Sequence, residues 1–151
     1  MEIKEIQKQK KRFLPLLLLA DEQESMIDQY LERGALFVLY EDGRDAPIAV
    51  CVITDEGGGL AELKNLAVAP AYQRKGYGRA MVEFAAERCR GAFSALQVGT
   101  GDSPLTLPFY EACGFVRSHV LKDFFIRHYD HPIYEAGKQL TDMIYLRMEL
   151  L

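Results

Sequence analysis

The chain has 151 residues, 49% of them apolar and 11% aromatic, with 18 Lys and Arg against 22 Asp and Glu. That length and composition suit one domain, residues 1–151, with a substantial core, and exclude a disordered chain. A net charge of −4 supplies no basic surface for nucleic acid; a weak acidic excess is compatible with a cationic amine.

Met1 to Ile6 alternates loosely and predicts a first short strand. Lys8 to Arg12 followed by Phe13 to Ala20 has a faint look of a secretion signal. The apolar run is short, no small-residue cleavage pattern follows, and Asp21-Glu22 comes at once. It is also too short to span a bilayer, so no membrane partner is expected. A buried helix over Lys10 to Ala20 is the better reading, with Pro15 in its first turn or at a break. Met26, Ile27, Tyr30 and Leu31 have helical spacing and predict a helix over Glu24 to Arg33, stopped by Gly34. Cys51, Cys89 and Cys113 are scattered and odd in number, which argues against a disulfide framework and for a reducing cytoplasm.

Ala35 to Tyr40 and Pro47 to Thr54 form a predicted hairpin about the turn Glu41 to Arg44. After Asp55-Glu-Gly-Gly-Gly59, Leu60 to Val68 reads as a central strand with a fault in its alternation. Leu63 is apolar at an odd position, Leu66 and Val68 at even ones. One extra residue near Lys64-Asn65 repairs the pattern, as a β-bulge does; a strand buried on both faces is the competing account. The next turn, Gln73-Arg74-Lys75-Gly76-Tyr77-Gly78, sets two cations and two glycines where a helix over Gly76 to Arg90 begins. Tyr77, Met81, Phe84 and Ala85 form its apolar stripe. A helix start presents unpaired N–H groups and a positive dipole end, which suit phosphate. Gly76 and Gly78 leave the backbone open to a diphosphate. Neither a nucleotide P-loop nor a full dinucleotide fingerprint is present.

Phe93 to Val98 is the following strand and Gly99 to Pro104 a loop. In Phe109-Tyr-Glu-Ala-Cys-Gly114-Phe115, a short helix stops at a left-handed glycine. It is expected to start near Thr106, with Pro108 in its first turn. Phe115 to Leu121 and Asp142 to Leu150 are the last strands. Residues 122–141 between them make a long loop, rich in aromatic and ionisable groups. Within it, His128, Asp130 and His131 are a poor match to metal-ligand spacing, so no metal is expected. His119 reads as a strand-face residue.

The pattern Gln-x-x-Gly-x-Gly after an apolar strand, with Tyr-x-x-x-Gly-Phe about thirty residues on, resembles the GNAT superfamily of N-acetyltransferases. The match runs from about Pro47 to Phe115; the first third agrees only in element order. The resemblance implies an α+β (α/β) GNAT fold. Its sheet would be central, mixed, mostly antiparallel and twisted, with six to seven strands, about four helices and a bulge in the central strand that splays it from the next. It implies acetyl transfer from acetyl-CoA to a primary amine of a small molecule or peptide by direct attack in a ternary complex. The alternative is a non-catalytic acyl-CoA-binding module. Cofactor contacts are expected at Leu66, Ala67, Val68, Gln73, Arg74, Lys75, Gly76, Tyr77, Gly78 and Arg79, with amides near Leu66 and Val68 as oxyanion donors. Glu62 is the candidate base, with an ordered water as the other option, and Tyr110 the donor to the leaving thiolate. Where the family usually has Asn, Ser103 stands. Many members pair, so a homodimer stays open, as does the acceptor.

Overall fold

The computed structural model describes residues 1–150. A seven-stranded sheet runs in the order β1-β2-β3-β4-β5-β9-β6. Its strands are β1 (Glu2–Ile6), β2 (Ala35–Tyr40), β3 (Pro47–Gly57), β4 (Leu60–Val68), β5 (Ala95–Gly101), β6 (Val116–Leu121) and β9 (Met143–Glu149). All neighbours pair antiparallel except β4 and β5. Five short helices accompany it: α1 (Leu14–Ala20), α2 (Glu24–Ile27), α3 (Tyr77–Cys89), α4 (Leu107–Ala112) and α5 (Phe124–His128). The expected mixed, mostly antiparallel α/β architecture is the one observed.

β2 and β3 are nearly continuous apolar runs because both of their faces are covered. On one face Phe37, Leu39, Cys51 and Ile53 pack with Met81, Val82 and Ala85 of α3. On the other Leu36, Val38, Val50 and Val52 pack with Leu17 of α1 and with Ile27 and Leu31. Each such Leu or Ile contributes roughly 1.5–3 kcal/mol by leaving water. On α3 the buried stripe is Met81, Val82, Ala85, Ala86 and Cys89. Phe84 lies beside it, edge-on to Phe37 at 4.9 Å.

The fault in the alternation of β4 is a bulge. Asn65 pairs with Val52 and Leu63 with Ile53, so Lys64 is the extra residue. Leu63, Leu66 and Val68 thereby share the α3 face, while Ala67 joins the α1 face. Both faces are indeed covered, yet the bulge still decides which residue faces where.

Two sequence expectations need correction, while the helical stretch over Lys10 to Ala20 is met, with a break before Pro15. Beyond Ile27 the chain runs in irregular turns to Gly34 instead of continuing as helix. The reason is Lys10, 7% exposed, whose ammonium donates to the carbonyls of Leu31, Glu32 and Gly34 at 3.0, 3.2 and 2.7 Å. Those carbonyls are turned toward the charge, so tertiary contact overrides helical spacing there. At the N-terminus, Lys10–Phe13 forms a 3-10 turn and α1 starts anew with Pro15 in its first turn. Residues 122–141 are not a bare loop either. They hold α5 and a small hairpin of β7 (Tyr134–Glu135) and β8 (Lys138–Gln139), over a cluster of Phe125, Ile133 and Leu140.

Candidate active site

β4 and β5 pair in parallel only from Leu60/Ala95 to Leu63/Val98. At the bulge they part, and β5 continues paired to β9 alone, as far as Gly101. The Ala69 amide donates to the Ile48 carbonyl at 2.8 Å. Bonded and non-bonded pairs alternate in an antiparallel ladder, so Ala67/Val50 is a bonded pair, while Val68/Ala49 and Leu66/Cys51 are not. The amides of Leu66 and Val68 therefore point away from β3, into the space β5 has left. The Gln73 amide reaches the outward-facing Val68 carbonyl at 3.0 Å. Ala67 is turned the other way, its amide toward β3 and its side chain in the α1 core. That geometry removes Ala67 from the expected cofactor contacts.

Beyond β4 the turn rises to α3. Arg74 and Gly76 have positive φ, 61° and 91°. A Cβ on Gly76 would meet nothing within 4 Å, so its need is conformational. Gly76 caps α3 without a side-chain hydrogen bond, leaving first-turn amides free for a ligand. Gln73, Arg74, Lys75 and Arg79 are exposed around them and Tyr77 is half-buried. Gly78 serves packing as well: a Cβ there would lie 3.2 Å from Cζ of Phe109. An open, cationic turn at a helix start fits a diphosphate.

α4 is placed by Ser103, 1% exposed, whose hydroxyl accepts from the Leu105 amide at 3.1 Å. The helix begins at Leu107, with Pro108 in its first turn. It ends where Gly114 takes φ 103° and the Phe115 amide returns to the Tyr110 carbonyl. This holds Tyr110 between Phe109 and Phe115, with ring centroids 5.1 and 5.7 Å away. Burial pushes the Tyr110 phenol well above its ordinary pKa.

A cavity of about 360 Å³ fills the parting of β4 and β5, lined by Lys64, Asn65 and Leu66, by Gly99 and Thr100, and by Tyr110. Its far wall is the segment 122–141, tied to the α1–α2 connection. Tyr129 donates to Asp21 at 2.8 Å, the Asp130 amide to Gln23 at 3.0 Å, and His131 meets Glu22 at 2.8 Å. Tyr30 donates to the second Asp21 oxygen at 3.1 Å. Burial raises the Asp21 pKa, and the two phenols partly offset that.

Glu62 is not among the residues lining this cavity. It is 5% exposed, accepts from the Gln97 amide, and pairs with Lys64 at 2.9 Å. Its partners and its place before the bulge set its carboxylate apart from the cavity wall. His128 packs on Phe124, and His119 stacks on Tyr145 with ring centroids 4.6 Å apart. Asp21, Tyr30, Asn65, Tyr129 and Glu135 were not singled out as functional from the sequence. The available signal was Asn65, a polar residue at the predicted bulge of the central strand.

A split sheet with inward-facing amides, a cationic helix start and a buried phenol beside the split together define an acyl-CoA-dependent transferase. The family model described as Acetyltransferase (GNAT) domain matches residues 32–117. An uncharacterized N-acetyltransferase, YvbK of Bacillus subtilis, is 38% identical over 138 residues, covering 89% of this chain and 87% of that protein. A B. subtilis acetyltransferase solved in complex with CoA superposes with TM-score 0.90 at 34% identity, over 99% of both chains. A GNAT family acetyltransferase from Elizabethkingia anophelis with acetyl-CoA bound gives 0.89 at 33%, over 99% and 97%. The chain belongs to the GNAT acetyltransferase family. It is an acetyl-CoA-dependent N-acetyltransferase, moving an acetyl group from acetyl-CoA to an amine. No helix among the described residues is long and apolar enough to cross a membrane.

Proposed function

We propose that the whole chain, residues 1–151, works as one acetyltransferase domain, with the coenzyme diphosphate on the 73–79 turn and the thioester in the gap beside Leu66 and Val68. The observation that carries this is the pair of ladder-free amides aimed into the parting of β4 and β5. Bound acetyl-CoA supplies the activated acetyl group. The amides at Leu66 and Val68 are fixed donors for charge developing on its carbonyl oxygen, and a preorganised donor of this kind is worth about 3 kcal/mol. Gln73 braces the strand end through Val68. Arg74, Lys75 and Arg79 ring the turn with positive charge, and the first-turn amides behind Gly76 and Gly78 face the same side.

The attacking amine must be neutral, so its proton leaves before or during attack. The carboxylates lining the cavity are better placed for it than Glu62. Glu62 instead orients Lys64 through their ion pair and steadies Gln97 where β4 and β5 are last joined. On departure, the coenzyme sulfur takes a hydrogen bond from Tyr110. Three free cysteines, two of them buried, and the use of acetyl-CoA support a reducing cytoplasm. A homodimer would find its natural edge at β6, where Val116 and Val120 are 70% and 54% exposed.

The decisive experiment is a calorimetric titration with acetyl-CoA of the wild type and of Gly76→Asp. The variant adds left-handed strain of about 1–2 kcal/mol and sets a carboxylate against the diphosphate. Wild-type binding with at least tenfold weakening in the folded variant is expected. Equal affinities would overturn the placement on the turn.

A further inference from the structure

The acceptor is the open question, and the cavity wall carries an observation that bears on it. Asn65 is 3% exposed. Its Nδ2 donates to the Leu17 carbonyl and to the Tyr30 hydroxyl, each at 3.0 Å. A carbonyl can only accept, so the amide cannot be flipped, and Oδ1 is held in one direction. That Oδ1 is buried and has no partner among the described residues. Asn65 is among the residues lining the cavity between β4 and β5, and a donor reaching Oδ1 from that side would satisfy it. The other unpartnered buried oxygen among the described residues is Oε2 of Glu135, which lines the same cavity.

The charges agree with this. Asp21, Glu22 and Glu135 line the cavity against one cation, Lys64. Lys64 is already paired with Glu62 and Glu22 with His131, which leaves Asp21 and Glu135 as the cavity carboxylates without a cation among the described residues. The Tyr30 hydroxyl joins the two halves of one recognition surface by accepting from Asn65 and donating to Asp21. The Asp21 carboxylate keeps acceptor capacity after the two phenol bonds and a backbone hydrogen bond at Gln23. Unpaired buried acceptors and surplus negative charge call for a ligand rich in N–H donors and positive charge. Phe125 and Leu140 offer apolar wall for methylene groups between such charges.

We infer that the acceptor is an alkyl amine carrying a second positive charge, a diamine or longer, bound with its distal ammonium on Asn65 Oδ1 and Asp21 and its reacting nitrogen beside Glu135 and Tyr110. This deepens the proposed reading and rests on it for the position of the thioester. The reacting ammonium gives one proton to Glu135. Its nitrogen then forms a bond to the acetyl carbon as the carbon–sulfur bond breaks, the second proton leaving that nitrogen passes to the sulfur, which departs as a thiol, and Glu135 gives its proton to solvent. The acetylated nitrogen loses its charge, while the distal ammonium keeps the product oriented until release.

The test uses three acceptors of equal length: 1,4-diaminobutane, butylamine and 4-aminobutyrate, whose far ends are positive, neutral and negative. With the wild type and saturating acetyl-CoA, kcat/KM should fall at least about tenfold at each step, the size of one charge-assisted contact. Asp21→Asn should compress the series by raising KM for the diamine. Glu135→Gln, which keeps the shape of the side chain, should lower kcat for every acceptor used while leaving the thermal melt unchanged. Acetyl-CoA affinity, measured by calorimetry on the same samples, separates the two readings. If acetyl-CoA fails to bind, the reading beneath this one is wrong. If it binds and the series is flat, reversed or without turnover, the dicationic acceptor is wrong. A graded series that neither variant alters overturns the assignment to these residues.

Discussion

Tyr110→Phe removes one oxygen and keeps the ring. The edge contacts to Phe109 and Phe115 survive, so the helix and its glycine stop should be undisturbed. The ordinary pKa values of phenol and thiol, about 10 and 8.5, make full proton transfer to a thiolate uphill by roughly 2 kcal/mol. Burial raises the Tyr110 value further, so transfer in the transition state is more costly still. The phenol then acts mainly as a hydrogen-bond donor to sulfur as charge develops there. A hydrogen bond to a charged group contributes roughly 1.5–3 kcal/mol, or about 10- to 150-fold in kcat. Acetyl-CoA KM should change little, because a neutral thioester sulfur is a poor acceptor. The assay is thiol release under saturating acceptor, repeated with an acetyl thioester of a more acidic thiol. That leaving group needs less help, so its loss should be several-fold smaller. The raised pKa also has a sign: the donor form persists as pH rises, so Tyr110 should produce no fall in kcat between pH 7 and 10. A change under threefold with both thioesters, or an alkaline limb that vanishes in the variant, would refute the assignment.

Other outcomes follow from neighbouring observations. Lys10→Met leaves three carbonyls without their shared donor; a loss of about 2–4 kcal/mol, with Tm lower by roughly 5–10 °C, is expected in urea and thermal melts. Asp21 has a folded pKa above its ordinary value, burial being the main cause. As pH falls through that value the carboxylate is neutralised, so diamine KM should rise at a pH above the ordinary carboxylate range, and Asp21→Asn should abolish that acid limb. The same sign applies to stability: the raised value favours the folded state where Asp21 is protonated, and this contribution is lost as pH rises through the folded pKa. Asp21→Asn should therefore flatten that part of a pH–stability curve from chemical denaturation.

Much of the catalytic framework was legible in the residues themselves. The alternation fault located the bulge to the pair Lys64-Asn65, because a period of two leaves an extra residue little room elsewhere, and the strand register then singled out Lys64. The 73–78 turn and the stop at Gly114 were legible because local backbone geometry restricts which side chains can stand there. Tertiary structure decided the rest. Lys10 ended a helix some twenty residues ahead of it by drawing three carbonyls onto one charge. Glu62 reads from the sequence as a candidate base, and only the fold brings Gln97 and Lys64 onto its carboxylate. Asn65, Asp21 and Glu135 lie far apart in the chain and share no local pattern. They meet only because the sheet splits beside β4 and the 122–141 segment folds back to the residues after α1, and contacts of that range leave no periodicity to read.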